Sequence, residues 1–167
     1  HGYDLKHLIR AITASAAYQR SSVATANNAK DISNYSRFYV KRMVAEVLLD
    51  AVGRVTGKPE EFDGHPAGSR AIQMWDNKLP VEFLEVFGKP SRLSVCECDR
   101  PTDGSITQVL HLMNSTSIQN RLADKDGAAA RLDKSGLTPD AIIDELYLTA
   151  YQRHPLPDEL KAASAAF

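Results

Sequence analysis

Glycines and prolines interrupt the middle of this sequence and separate two parts that carry helical patterns. Between residues 57 and 80 the interruptions are Gly57, Pro59, Gly64, Pro66, Gly68 and Pro80. Glycine is conformationally permissive and proline removes a backbone donor, so neither residue continues a regular element well. We therefore expect a long irregular crossover here, with the regular structure on either side of it.

The flanking parts show apolar residues at intervals of three and four, which is the period of an α-helix. The strongest pattern predicts a helix from Ser36 or Arg37 to Val55, with Gly57 as its stop. Its predicted apolar face consists of Val40, Val44, Val47, Leu48, Ala51 and Val55, with Met43 and Val52 beside it. A first helix is expected from Asp4, as its cap, to Gln19. The remaining helices are expected near residues 80–87, 105–113, 115–122, 127–134, 138–150 and 157–167.

Local signals refine three of these segments. Pro80 is expected at the first position of its helix, and Thr138-Pro139-Asp140 combines a cap, a first-position proline and a first-turn acid. On the 105–113 helix the inward residues are expected to be Ile106, Val109, Leu110 and Met113. Residues 69–75 are expected to form a short extended piece. Together these patterns predict a mainly α fold, a single-domain irregular helical bundle of about six or seven helices over residues 1–167.

Composition excludes several classes of function. The 167 residues carry a net charge of −1, which offers no electrostatic footprint for nucleic acid or an anionic membrane. No apolar run is long enough to span a bilayer, and no signal peptide is present. The chain opens on His1 rather than Met, so we interpret it as a piece of a longer protein or a processed one.

The two cysteines, Cys96 and Cys98, lie one residue apart. In an extended segment they would project to the same face, and three interpretations remain open. They could form a strained, easily reduced disulfide. They could be half of a soft-metal site, although His65, His111 and Asp99 lack diagnostic spacing for its completion. They could be two structural cysteines. We expect no bound metal and no cofactor.

Charged residues recur at steps of four along the strongest helix: Arg42, Glu46, Asp50 and Arg54. Residues four apart are neighbours on a helix, so the two carboxylates form a candidate acid/base pair or cation site. The flanking arginines favour a salt-bridge network instead.

His111 is a third weak catalytic candidate. It lies one turn from Asn114 on the 105–113 helix, with Gln108 on the same side. These residues, with Arg42, Asp99 and Arg100, are candidates for a polar pocket. A lone helical histidine is more often exposed or structural, so the alternative is a histidine without a catalytic role.

Several short motifs in order resemble one known family. They are residues 3–9, 15–19, 42–50, 87–92, 96–100, 107–114, 145–148 and 153–155. This series resembles the C-terminal part of the Planctomycete-specific PSD domain family, domain of unknown function 1553. The resemblance implies a C-terminal domain of a large exported bacterial protein, at the cell surface or in the periplasm. It also implies upstream domains, often of cytochrome c type, and a link to polysaccharide breakdown.

Three functional hypotheses follow. The first is a non-catalytic helical module that packs against upstream domains of the same protein or binds polysaccharide. The second is part of an enzyme site, lined by residues 96–100, His111, Glu46 and Asp50 and completed by an upstream domain. The third is a redox-linked module with a reducible Cys96–Cys98 pair beside a cytochrome c domain. The chain itself lacks a Cys-x-x-Cys-His haem attachment motif.

Overall fold

A computed structural model of the chain describes residues 2–74, 80–90 and 104–166. Within these ranges the regular structure consists of eight α-helices and one 3₁₀ turn, without a strand, so the mainly α fold is confirmed. The chain separates into two compact units, residues 1–42 and residues 43–167. None of the helices in the described ranges combines the length and apolarity that crossing a bilayer requires.

The first unit contains helix α1, Leu5–Thr13. As predicted, the Asp4 carboxylate caps it by accepting the His7 amide at 3.1 Å. The helix ends six residues before the predicted Gln19, because polar side chains take over its C-terminal carbonyls. The Ser15 hydroxyl donates to the Ile12 carbonyl at 2.7 Å, and the Gln19 amide donates to the Thr13 carbonyl at 2.7 Å.

Residues 20–42 contain no helix, and a polar turn around Asp31 organises part of them. The Asp31 carboxylate accepts the hydroxyl of Ser36 and the amides of Ser33 and Asn34. These bonds, the one from Ser36 foremost, hold the pKa of Asp31 well below its ordinary value. No described residue of this unit is buried, so its local hydrogen bonds carry more of its order than a core does.

Helix α2, Ala45–Thr56, is the centre of the second unit. The elements that follow are the 3₁₀ turn Ala71–Gln73 and helices α3 (Glu82–Val86), α4 (Ile106–Asn114), α5 (Thr116–Leu122), α6 (Ala128–Asp133), α7 (Pro139–Tyr151) and α8 (Pro157–Ser164). Of these, the 3₁₀ turn, α3, α6 and α7 pack directly on α2. The core cluster is Ala45, Leu49, Phe62, Ala71, Met74, Phe83, Leu84 and Ile118.

The predicted start of α2 is wrong, and its predicted inward face is confirmed only in part, since Leu48 packs against the core while Val44 and Val47 are exposed. The helix begins at Ala45, after Val44 in an extended conformation, and it ends at the predicted Gly57, whose φ of 70° suits a glycine cap. The earlier residues follow a different path, since the Phe38 amide donates to the Ser21 carbonyl at 3.0 Å. Arg42 therefore lies outside α2.

Small residues decide which face of α2 is buried. Ala45, Leu49 and Gly53 are buried, whereas Val44 and Val47 of the predicted face are exposed. A Cβ at Gly53 would lie 2.9 Å from the Cα of Pro59, so the loop after α2 packs directly on the helix backbone. A hydrophobicity pattern gives little weight to alanine and glycine, and it selected the neighbouring valines instead.

The other elements agree with their signals in part. Helix α3 begins at Glu82 after Val81, so the prediction of Pro80 at its first position is wrong. Helix α7 begins as predicted, with the Thr138 hydroxyl accepting the Ala141 amide at 3.4 Å and Pro139 at the first position. Residues 71–73 form the 3₁₀ turn, which replaces the extended piece expected there.

A charged clamp joins α7 to α8. The Arg153 guanidinium donates two hydrogen bonds to the Glu159 carboxylate, at 2.7 and 2.8 Å. It also lies against the rings of Tyr147 and Tyr151, at 5.6 and 5.7 Å. The bond from Arg153, with a further one from the Leu156 amide, lowers the pKa of Glu159 to about 2.

Candidate functional site

Helix α4 is turned opposite to its predicted orientation. The four residues expected inward are exposed, at 77% for Ile106, 55% for Val109, 50% for Leu110 and 64% for Met113. The residue that α4 buries is Gln108, which is 6% exposed. The helix thus presents an apolar stripe to the outside and packs its polar edge inward. We call these four exposed residues the α4 face.

Gln108 fixes this orientation through hydrogen bonds at both ends of its side chain. Its Oε1 accepts the Ser105 amide at 3.2 Å, while the Ser105 hydroxyl accepts the Gln108 amide at 3.3 Å, which completes a capping box. Its Nε2 donates to the Val86 carbonyl at the end of α3, at 3.0 Å. A buried amide group needs such partners, and the Val86 carbonyl is available only when the polar edge faces α3.

His111 lies one turn further along the same edge. Its ring meets Phe83 and Phe87 edge-on, with centroids 5.6 and 6.0 Å away, and these two phenylalanines stack at 4.4 Å. Its buried Nε2 has no hydrogen-bond partner among the residues that the structure describes. The aromatic contacts orient the ring, and the catalytic role suggested for His111 stays a prediction. Asn114, at the end of α4, is exposed.

Of the four charged residues predicted at steps of four, α2 contains Glu46, Asp50 and Arg54, since Arg42 lies before the helix. Glu46 is buried at 5% exposure. The Asp50 carboxylate accepts the amides of Ala71 at 2.7 Å and Ile72 at 3.3 Å. Asp50 thus caps the 3₁₀ turn, and this contact explains why residues 71–73 are coiled rather than extended.

A cavity of about 300 Å³ lies between the C-terminal half of α2 and the loop of residues 57–70. Its charged and hydroxyl-bearing lining residues are Asp50, Arg54, Glu60, Ser69 and Arg70. Glu60 is paired with Arg121 of α5, which also donates to the Lys58 carbonyl at 2.9 Å. We call this space the Arg54–Arg70 cavity. No local sequence pattern marks Arg70, because only the fold of the loop places it in the same cavity as Arg54.

The remaining site predictions fall elsewhere. Cys96, Cys98, Asp99 and Arg100 lie outside the described residues, so the disulfide and the predicted polar pocket stay predictions. Over residues 2–74, 80–90 and 104–166, no three His, Cys, Asp or Glu side chains group as a metal site would require.

The fold and these surfaces define a mainly α-helical domain organised around α2, with an apolar helix face and a charged cavity. The chain belongs to the PSD1 family, described as a protein of unknown function (DUF1553), whose model matches residues 1–167. No curated protein and no solved structure matches it.

Proposed function

We propose that this chain is a packing and interaction module of a larger exported bacterial protein, and that it contacts the neighbouring domains of that protein through the α4 face. In this proposal the whole protein acts in polysaccharide degradation, and one of the neighbouring domains is of cytochrome c type. The family resemblance motivates the export, the neighbouring domains and the polysaccharide.

The observation that carries the proposal is the exposure of the α4 face. Ile106, Val109, Leu110 and Met113 follow one another at helical spacing, so they form one continuous stripe. The glutamine on the opposite edge is buried while the apolar stripe is exposed. A contiguous exposed apolar patch of this kind is typical of an interaction surface.

The absence of charged residues along α4 and the start of α5 supports a protein partner. Residues 104–120 contain no Asp, Glu, Lys or Arg. Interface cores are depleted of charged residues, and this span shares that depletion.

The test uses the longer protein that contains this chain, produced as two polypeptides, with the upstream domains on one and residues 1–167 on the other. Binding is measured by calorimetry for the native sequence and for a double variant, Val109→Asp with Met113→Asp. The control is Leu137→Asp, which changes an exposed leucine away from α4. We expect the double variant to weaken binding at least about tenfold and the control to leave it unchanged. Equal binding by all three would refute the proposal.

A second measurement addresses the polysaccharide. The intact longer protein and residues 1–167 alone are compared for binding to plain and sulfated polysaccharides. We expect binding by the intact protein and weaker binding by this chain alone. If neither binds any polysaccharide, the link to polysaccharide degradation fails, while the module proposal is judged by the domain-binding result.

A further inference from the structure

We propose that the Arg54–Arg70 cavity binds an oxyanion group, either a carboxylate or a sulfate, on a small ligand. This site is independent of the α4 face. It lies beside α2 rather than on α4, and its use requires no partner domain. The inference rests on how the charges that line the cavity are already paired.

The carboxylates of the cavity are occupied by groups outside it. Asp50 accepts the amides of Ala71 and Ile72, and Glu60 is paired with Arg121. The guanidinium groups are in the opposite situation. Within the described part of the chain, neither Arg54 nor Arg70 lies within ion-pair distance of a carboxylate or donates a side-chain hydrogen bond. The cavity therefore retains two guanidinium groups without an ion-pair partner among the described residues, against the Asp50 carboxylate, whose oxygens are engaged by the Ala71 and Ile72 amides.

The ligand class follows from the geometry of arginine. Each guanidinium offers five N–H donors in a planar fork that matches the oxygens of a carboxylate or a sulfate. A space of about 300 Å³ is at the lower end of the volumes of small-ligand sites, and both arginines line it. The Ser69 hydroxyl, which donates to the Pro66 carbonyl at 2.7 Å, keeps lone pairs for a ligand hydroxyl beside the anion.

The fold itself explains the position of Arg54 but not that of Arg70. Arg54 is in the last turn of α2, where a positive charge stabilises the carbonyl end of the helix. Arg70 precedes a 3₁₀ turn, whose first amides favour negative charge, so it gains nothing comparable there. The placement of Arg70 in the same cavity as Arg54 is therefore the feature that a ligand accounts for.

The experiment titrates residues 1–167 with sodium sulfate and, separately, with sodium glucuronate, at an ionic strength held constant with sodium chloride. Chemical shifts of the arginine Nε–H groups are followed by nuclear magnetic resonance. We expect saturable shifts at Arg54 and Arg70, with millimolar affinity because both side chains are exposed. A tighter response to one of the two salts identifies sulfate or carboxylate as the preferred group.

Matched variants distinguish a specific binding site from non-specific attraction of anions to positively charged side chains. Arg54→Ala and Arg70→Ala are each expected to weaken binding about tenfold, whereas Arg10→Ala, which removes a last-turn arginine from α1, should leave it unchanged. Arg70→Lys should recover only part of the affinity, because an ammonium group lacks the planar fork. Shifts that rise linearly with both salts, or an equal loss in the Arg10→Ala variant, would overturn the proposal. Thermal unfolding of each variant verifies that it is folded.

Discussion

Replacing Gln108 with alanine should destabilise this protein more than replacing Met113 with alanine. A hydrophobic pattern predicts the reverse order, since it places Met113 in the core and Gln108 at its margin. The structure buries Gln108 to 6% exposure and leaves Met113 64% exposed. The comparison therefore reports directly on which edge of α4 faces inward.

The magnitude follows from the contacts that each side chain makes. Gln108→Ala removes the bond to the Ser105 amide at 3.2 Å and the bond to the Val86 carbonyl at 3.0 Å. Each is worth about 0.5–1.5 kcal/mol net, and the groups left behind are only partly reached by water. The higher helix propensity of alanine offsets a few tenths of a kcal/mol of this loss in stability. The expected loss in the free energy of unfolding is about 1–3 kcal/mol. Met113→Ala leaves no cavity and should change it by less than about 0.5 kcal/mol.

Urea unfolding followed by circular dichroism measures both values on residues 1–167 under identical conditions. The two variants lie on one helix and differ chiefly in which edge they alter, so each serves as the control for the other. If Met113→Ala is more destabilising than Gln108→Ala, α4 is turned the other way, and the proposal for the α4 face falls with it.

Three further perturbations test other parts of the second unit. Leu49→Ala empties a fully buried position in α2 and should lower the free energy of unfolding by about 2–5 kcal/mol; a loss under about 1 kcal/mol would mean that this position is not core. Gly53→Ala should destabilise by about 1–3 kcal/mol in the same assay, because the new Cβ would lie 2.9 Å from the Cα of Pro59, and any stabilisation would contradict that close approach. Glu159 has a pKa lowered from 4.5 to about 2 by Arg153, so its contribution is present above about pH 4.5 and is lost as the pH falls towards 2. Carbon-13 NMR of the carboxyl should show that low pKa, and Glu159→Gln should remove the corresponding step in stability; an ordinary pKa at Glu159 would refute the clamp.

Sequence signals predicted best where the cause is local. The caps Asp4 and Thr138 and the stop at Gly57 all act within one turn of their own helix. Their chemistry depends on the next few residues alone, so it can be read before any tertiary contact is known. The α4 bounds are correct within a residue for the same reason.

The predictions that failed required tertiary information. The inward face of α2 depends on the close approach of Pro59 to Gly53, and the conformation of residues 71–73 depends on Asp50, which is 21 residues away from Ala71. The Arg54–Arg70 cavity has the same origin, since its two arginines are 16 positions apart in the printed sequence and meet only through the loop. Hydrophobic periodicity cannot supply such contacts, because it compares residues within one element only.

Helix α4 is a different case, because its helical periodicity was predicted correctly but the direction in which its apolar stripe faces was not. The stripe of Ile106, Val109, Leu110 and Met113 exists, yet it faces away from the core that the described residues form. Burial of a large apolar side chain is worth about 1.5–3 kcal/mol, so four exposed ones leave several kcal/mol that contacts among the described residues do not recover. The capping box and the Gln108 bond to α3 hold the helix in place without that contribution. The described residues leave this continuous apolar stripe exposed, and this is why the α4 face, rather than any titratable group, carries the proposed function.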